Sequence, residues 1–85
     1  MLNAYPNPYR DFANFEFSVP FDGKASLDIY TIEGRHVTNL YNDDVMKDVV
    51  YKAYLDAKSI SGAMYIYKLT TDKGLKYGTI IPINR

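Results

Sequence analysis

The sequence has no cysteine, no tryptophan and a single histidine, and ten Lys and Arg stand against ten Asp and Glu, so it has no surplus of charge. Without cysteine there is no disulfide, no thiolate nucleophile and no zinc–thiolate centre. His36 alone cannot supply the three or four ligands a transition metal takes, and it reads as a surface residue beside a turn. A formal net charge of zero lacks the basic surface that nucleic acid demands and the polybasic stretch that holds a chain on an anionic membrane. No apolar run approaches the roughly 20 residues that span a bilayer, so no membrane insertion is expected. Met1-Leu2-Asn3-Ala4-Tyr5 has neither the basic start nor the apolar stretch of a secretory leader. Glu16 and Glu33 are the only glutamates, on an expected strand and in an expected turn, with little cleft between them for glycoside hydrolysis. Ser18, Ser26, Ser59 and Ser61 fall in no Gly-x-Ser-x-Gly motif, and Gly74 and Gly78 are too isolated to cradle a phosphate. These absences point away from catalysis and from any cofactor.

What is present is aromatic and short-ranged. The 85 residues allow one domain, 1–85, burying roughly 60–65% of its unfolded surface. Nine Tyr and four Phe lean the composition to β structure. Pro6, Pro8, Pro20, Gly23, Gly34, Gly62, Gly74, Gly78 and Pro82 punctuate the chain at the spacing of short strands joined by turns. Phe15, Phe17 and Val19 alternate with Asn14, Glu16 and Ser18. Ala25, Leu27 and Ile29 alternate with Ser26, Asp28 and Tyr30. His36 to Leu40 is a short, weakly patterned strand, and Tyr65, Tyr67 and Leu69 alternate with Met64, Ile66 and Lys68. A last strand covers Tyr77 to Ile83, with Leu75 and Lys76 leading into it, and Pro82 suggests an edge. Turns are expected at Pro20–Lys24, where Asp22-Gly23 supplies left-handed geometry, at Glu33-Gly34-Arg35 and at Asp72-Lys73-Gly74. The expected core is Phe15, Phe17, Val19, Leu27, Ile29, Val37, Leu40, Tyr65, Tyr67, Leu69 and Ile81.

Asp43 to Lys58 is ambiguous by pattern. Val45, Val49, Ala53 and Ala57 recur every four residues behind a possible Asp cap, which slightly favours a helix; Val49, Tyr51, Ala53 and Leu55 also alternate as a strand. Asn42-Asp43-Asp44 with Asp48 lacks the loop glycine and closing glutamate of an EF-hand and reads as a solvated acidic loop. The tyrosines on or near the strands suit core and sheet-face packing, with a sugar-stacking platform as the alternative.

In order along the chain, Asn7-Pro8 before Phe15–Pro20, Ala25–Tyr30 before Gly34-Arg35-His36-Val37, Leu55-Asp56-Ala57 before Ser61-Gly62, and Tyr65–Leu69 with a last strand ending at Arg85 form a set. That set resembles the type A C-terminal sorting domain of type IX secretion, known from Bacteroidetes-type Gram-negative bacteria, from Tyr5 to Arg85. Thr31 stands where the family usually has Asp, Leu55 where it often has Trp, and Ala63 at a usual Gly. Asn42 to Asp48 replaces a Gly-containing lead. The Ig-like domain of flagellar hook-capping proteins is the related alternative.

The resemblance implies a strand over Val49 to Leu55 and an all-β, single seven-strand antiparallel Ig-like β-sandwich. It implies a non-catalytic sorting signal for a cargo fused upstream in cis. Export would use the outer-membrane secretion machinery, and a sortase-like surface protease would then process the precursor, placing it between periplasm, outer-membrane surface and exterior. Met1 then reads as a start added to an excised C-terminal piece, so the missing leader says nothing about localisation. Asn7, Pro8, Gly34, Arg35, Val37, Gly62, Tyr65, Lys76, Asn84 and Arg85 are the candidate recognition residues, with the last strand and its end as the part read. Arg35 has a blander alternative, pairing with Glu33 or Asp28. A carbohydrate-binding or adhesive module and a structural spacer are the other functional readings.

Overall fold

The computed structural model describes residues 1–5, 11–56 and 64–81. Seven strands follow one another: β1 (Leu2–Tyr5), β2 (Phe12–Phe17), β3 (Gly23–Thr31), β4 (His36–Val45), β5 (Tyr51–Asp56), β6 (Tyr65–Thr71) and β7 (Gly74–Ile80). They form a three-stranded sheet, β1-β2-β5, and a four-stranded sheet, β4-β3-β6-β7, antiparallel throughout. The all-β sandwich expected from the sequence is the fold.

The core follows the alternation. Ala13, Phe15 and Phe17 face inward from β2, and Ala25, Leu27 and Ile29 from β3; Val19, Val45, Leu55, Tyr65, Leu69 and Ile80 complete it. Burying a Phe or Leu side chain contributes about 1.5–3 kcal/mol each, so these two central strands carry much of the stability. Phe17 stacks on Tyr51 at 5.7 Å and meets the Tyr41 edge at 5.2 Å, which ties β2 to β5 and to the far sheet.

Several expectations need correction. The N-terminal strand β1 is absent from the sequence reading; it pairs Leu2 to Phe17 and Ala4 to Phe15. Val37, Leu40 and Tyr67 are half-buried against the core instead of within it. Ile81 is 46% exposed and lies beyond β7, whereas Ile80 is fully buried. The parity is set by β6: inward-facing Tyr65, Tyr67 and Leu69 pair with Ile80, Gly78 and Lys76. Asp22-Gly23 turns the chain without left-handed geometry at Gly23; the positive φ values among the described residues fall at Gly34 (92°), Gly74 (133°) and Asp48 (62°).

The described part of the ambiguous stretch, 43–56, holds no helix. Asn42, Asp43 and Asp44 belong to β4, not to a solvated loop, and β5 begins at Tyr51, two residues later than expected. The link between them is pinned by backbone donors: Met46 N–H to the Tyr51 hydroxyl (2.8 Å), Lys47 N–H to Asp22 Oδ1 (2.7 Å) and Asp48 N–H to the Val19 carbonyl (2.8 Å). Aspartate is one of the few residues that tolerates the left-handed conformation Asp48 adopts.

Candidate recognition surface

The β3–β4 hairpin carries Gly34, Arg35 and Val37. Thr31 closes it: its N–H donates to the Arg35 carbonyl (2.8 Å), its carbonyl accepts from the Gly34 N–H (2.9 Å), and its Oγ1 accepts from the Arg35 N–H (3.1 Å). A hydroxyl here does what an aspartate oxygen would do, which accounts for Thr31 at a position where the resemblance leads one to expect Asp. Beyond its own chain neighbours, nothing lies within 4 Å of a Cβ built on Gly34, so its positive φ, not crowding, calls for glycine. The Arg35 side chain is exposed and has no ion-pair partner among the described residues. Val37 packs against the core.

Asp28 is occupied by other partners. His36 Nε2–H donates to Asp28 Oδ1 (2.8 Å), Asn39 Nδ2 donates to the same oxygen (2.9 Å) and Ser26 Oγ to Oδ2 (2.8 Å). Burial pushes the Asp28 carboxyl upward, but the hydrogen bonds from Asn39, His36 and Ser26 outweigh it and hold the group below its ordinary value. Tyr30 meets the His36 ring edge-on at 5.3 Å, and Lys68 Nζ lies 4.6 Å above the Tyr30 ring. This polar cluster on the outer face of the four-stranded sheet escaped the sequence reading. Two register shifts in β4 bring it together, leaving Leu40 and Val37 unpaired between Tyr41, Asn39, Thr38 and His36.

Among the described residues no group of three or more His, Asp or Glu is placed to hold a metal ion. Tyr65 is buried in β6, and Lys76 is exposed on β7 opposite Leu69. The hairpin at Gly34 and Arg35 sits at the Tyr65 end of β6, while Lys76 sits toward the Thr71 end. Asn7, Pro8, Gly62, Asn84 and Arg85 lie outside the described residues.

Among the described residues β7 is one of the two outer strands of its sheet, an edge position as Pro82 suggested. Gly78 makes close approach possible there: a Cβ on it would stand 2.5 Å from the Tyr67 hydroxyl and 2.7 Å from Cζ. Tyr67 itself rests edge-on against Phe15 at 5.2 Å, so its ring is fixed between the core and the β7 backbone.

Neither a curated protein nor a solved structure matches the chain significantly. The secretion system C-terminal sorting domain family matches residues 3–84, almost the whole chain and all of the sandwich just described except Leu2 of β1. The chain therefore belongs to the secretion system C-terminal sorting domain family, as a sorting signal of type IX secretion.

Proposed function

We propose that this domain is a non-catalytic address carried behind an upstream cargo, and that the secretion machinery reads it as a folded surface centred on β7. The family match over residues 3–84 carries the reading. Its place in the fold supports it: among the described residues β7 is an outer strand of the four-stranded sheet, and Leu75, Lys76 and Tyr77 are exposed on it. After export, a sortase-like surface protease removes the domain and joins the cargo to anionic lipopolysaccharide. Gly34 and Arg35 offer a second exposed contact at the Tyr65 end of the same sheet.

The test is export of a reporter fused ahead of residues 1–85 in a type IX-competent host. Truncation from Gly78 would also remove the buried Ile80, so surface substitutions are the cleaner probe. Tyr77→Ala and Arg35→Ala change exposed residues and should reduce secretion without lowering thermal stability. Unchanged secretion in both would remove β7 and the hairpin from the recognition surface.

Glycan binding is the second reading, and it rests on the outer face of the three-stranded sheet. Tyr5, Phe12 and Tyr54 are 42%, 48% and 62% exposed there, with Phe12 edge-on to Tyr54 at 5.6 Å and Asn14 between Tyr5 and Tyr54. Glycan-array binding that Tyr54→Ala abolishes would support this reading, and an array without binding would remove it.

A further inference from the structure

We propose that the cleft between the β2–β3 link and the β6–β7 hairpin binds a free amphipathic carboxylic acid, its short alkyl tail on the apolar floor and its carboxylate at Lys73 and Lys76. The inference goes beyond the sorting reading and does not depend on it.

The cleft is built by two connections at one end of the sandwich. Residues 18–22 carry the chain from β2 to β3, and the β6–β7 hairpin lies across from them. Met1, Val19, Phe21, Leu69 and Leu75 line the half-open space of about 290 Å³ between the two. Val19 and Leu69 are buried, Phe21 is half-buried, and Met1 and Leu75 are exposed. Both walls are fixed by hydrogen bonds. On the link, the Ser18 N–H donates to the Met1 carbonyl (3.0 Å) and the Val19 carbonyl accepts from the Asp48 N–H (2.8 Å). On the hairpin, Thr71 Oγ1 accepts from the Lys73 N–H (3.2 Å) and donates to the Gly74 carbonyl (3.1 Å). A cleft that is already formed costs little ordering when it is filled. Its volume is at the bottom of the roughly 300–1,000 Å³ range of small-molecule sites, so it fits a single short chain.

Charge selects the head group. No acidic residue lines the cleft, while Lys73 and Lys76 do. Neither lysine has an ion-pair partner among the described residues. Lys73 Nζ is held 5.6 Å from the centre of the Phe21 ring, and Lys76 pairs across the ladder with Leu69, which puts it on the same face as that buried side chain. The neighbouring carboxylates have other contacts: Asp22 accepts from the Lys47 N–H, and Asp72 lies against Gly23. An apolar floor with two free cations at the rim matches a tail with one acidic head, whose carboxylate can stay in water while the tail leaves it.

The test uses the 85-residue chain and four small probes: octanoate below its micelle concentration, octanol, octylammonium and acetate. Titration followed by backbone amide NMR at low salt should show saturable octanoate shifts at Val19, Phe21, Leu69 and Leu75. Octanoate should bind about tenfold more tightly than octanol, the scale expected of two exposed ion pairs. Octylammonium should bind more weakly than octanol, and acetate, which has no tail, should not saturate. Lys73→Gln with Lys76→Gln should bring octanoate down to the octanol level and, both residues being exposed, leave octanol binding and thermal stability unchanged. Acetylating the amino terminus, which already donates to the Ser18 carbonyl at 2.9 Å, should leave the preference for octanoate intact. N-acetyl-leucine, standing for the carboxyl end of a peptide, should bind less tightly than octanoate because it buries less apolar surface. Equal affinity for octanoate and octanol, shifts confined to other residues, no saturation, or a preference that survives the double lysine variant would each overturn the site. Loss of the preference on acetylation would overturn the lysine assignment, and tighter binding of N-acetyl-leucine would overturn the choice of a free acid. Export of the reporter fusion is scored separately, so its failure would sink the sorting reading and leave the octanoate result standing.

Discussion

Tyr67 reaches so far across the sheet that its neighbour on β7 must be glycine. Gly78→Ala places a methyl 2.5 Å from the hydroxyl and 2.7 Å from Cζ, and the ring cannot retreat because Phe15 backs it. The expected loss is about 1–3 kcal/mol, the usual cost of overpacking, measured by urea denaturation. Tyr67→Phe in the same background should recover only part of it, since Cζ stays; full recovery would show that the hydroxyl alone sets the constraint. Asp28 gives a pH signature. Its carboxyl is lowered in the fold, so its contribution is present above the unfolded value of about 3.9 and is lost as pH falls through the folded value. Asp28→Asn should therefore cost about 1–2 kcal/mol at neutral pH, with the gap to wild type narrowing as pH falls below the unfolded value of about 3.9. A gap independent of pH would mean that the charge does not matter to the cluster.

At the scale of elements, legibility tracked regularity. β2 and β3 were plain in the sequence because Phe15, Phe17, Leu27 and Ile29 keep strict period two on a buried face. β4 was not, because Leu40 and Val37 sit at register shifts that break the period, and the shifts answer to the β3 partner instead of to local sequence. The same shifts hid the Asp28–His36–Asn39 cluster. β5 has the opposite history: residue spacing leaned toward a helix, while the ring of Tyr51 on Phe17, a tertiary contact, accompanies the strand. β7 was placed correctly at an edge but ended wrongly, because two adjacent isoleucines give pattern no means of choosing between them. The structure chooses, with Ile80 fully buried and Ile81 46% exposed. Ile80→Ala should then cost about 2–5 kcal/mol and Ile81→Ala under about 1 kcal/mol, read from paired thermal or urea melts. Equal costs would mean that Ile81 is buried as the sequence alone had it. Of the candidate recognition residues, Val37 and Tyr65 turn out to serve the core, while Gly34, Arg35 and Lys76 face solvent.

At the scale of the molecule, the question is whether the export machinery reads a fold or a stretch of chain. A chain of 85 residues has a small core and a stability of about 4–13 kcal/mol. Leu27 is fully buried at the centre of β3, flanked by Tyr41 on β4 and Leu69 on β6. Leu27→Ala removes about 2–5 kcal/mol, enough to bring the domain near its unfolding midpoint while leaving every surface residue in place. If the signal is the sandwich surface, secretion of a Leu27→Ala fusion should fall with the folded fraction and recover when the host is grown cooler. Tyr77→Ala, 70% exposed in the parent, should lower secretion at every temperature with the melting point unchanged. The two variants thus separate a folded address from a linear one. Secretion of Leu27→Ala at the wild-type level, with the domain shown to be largely unfolded by circular dichroism, would mean that the sequence of β7 suffices and that the sandwich serves only to carry it.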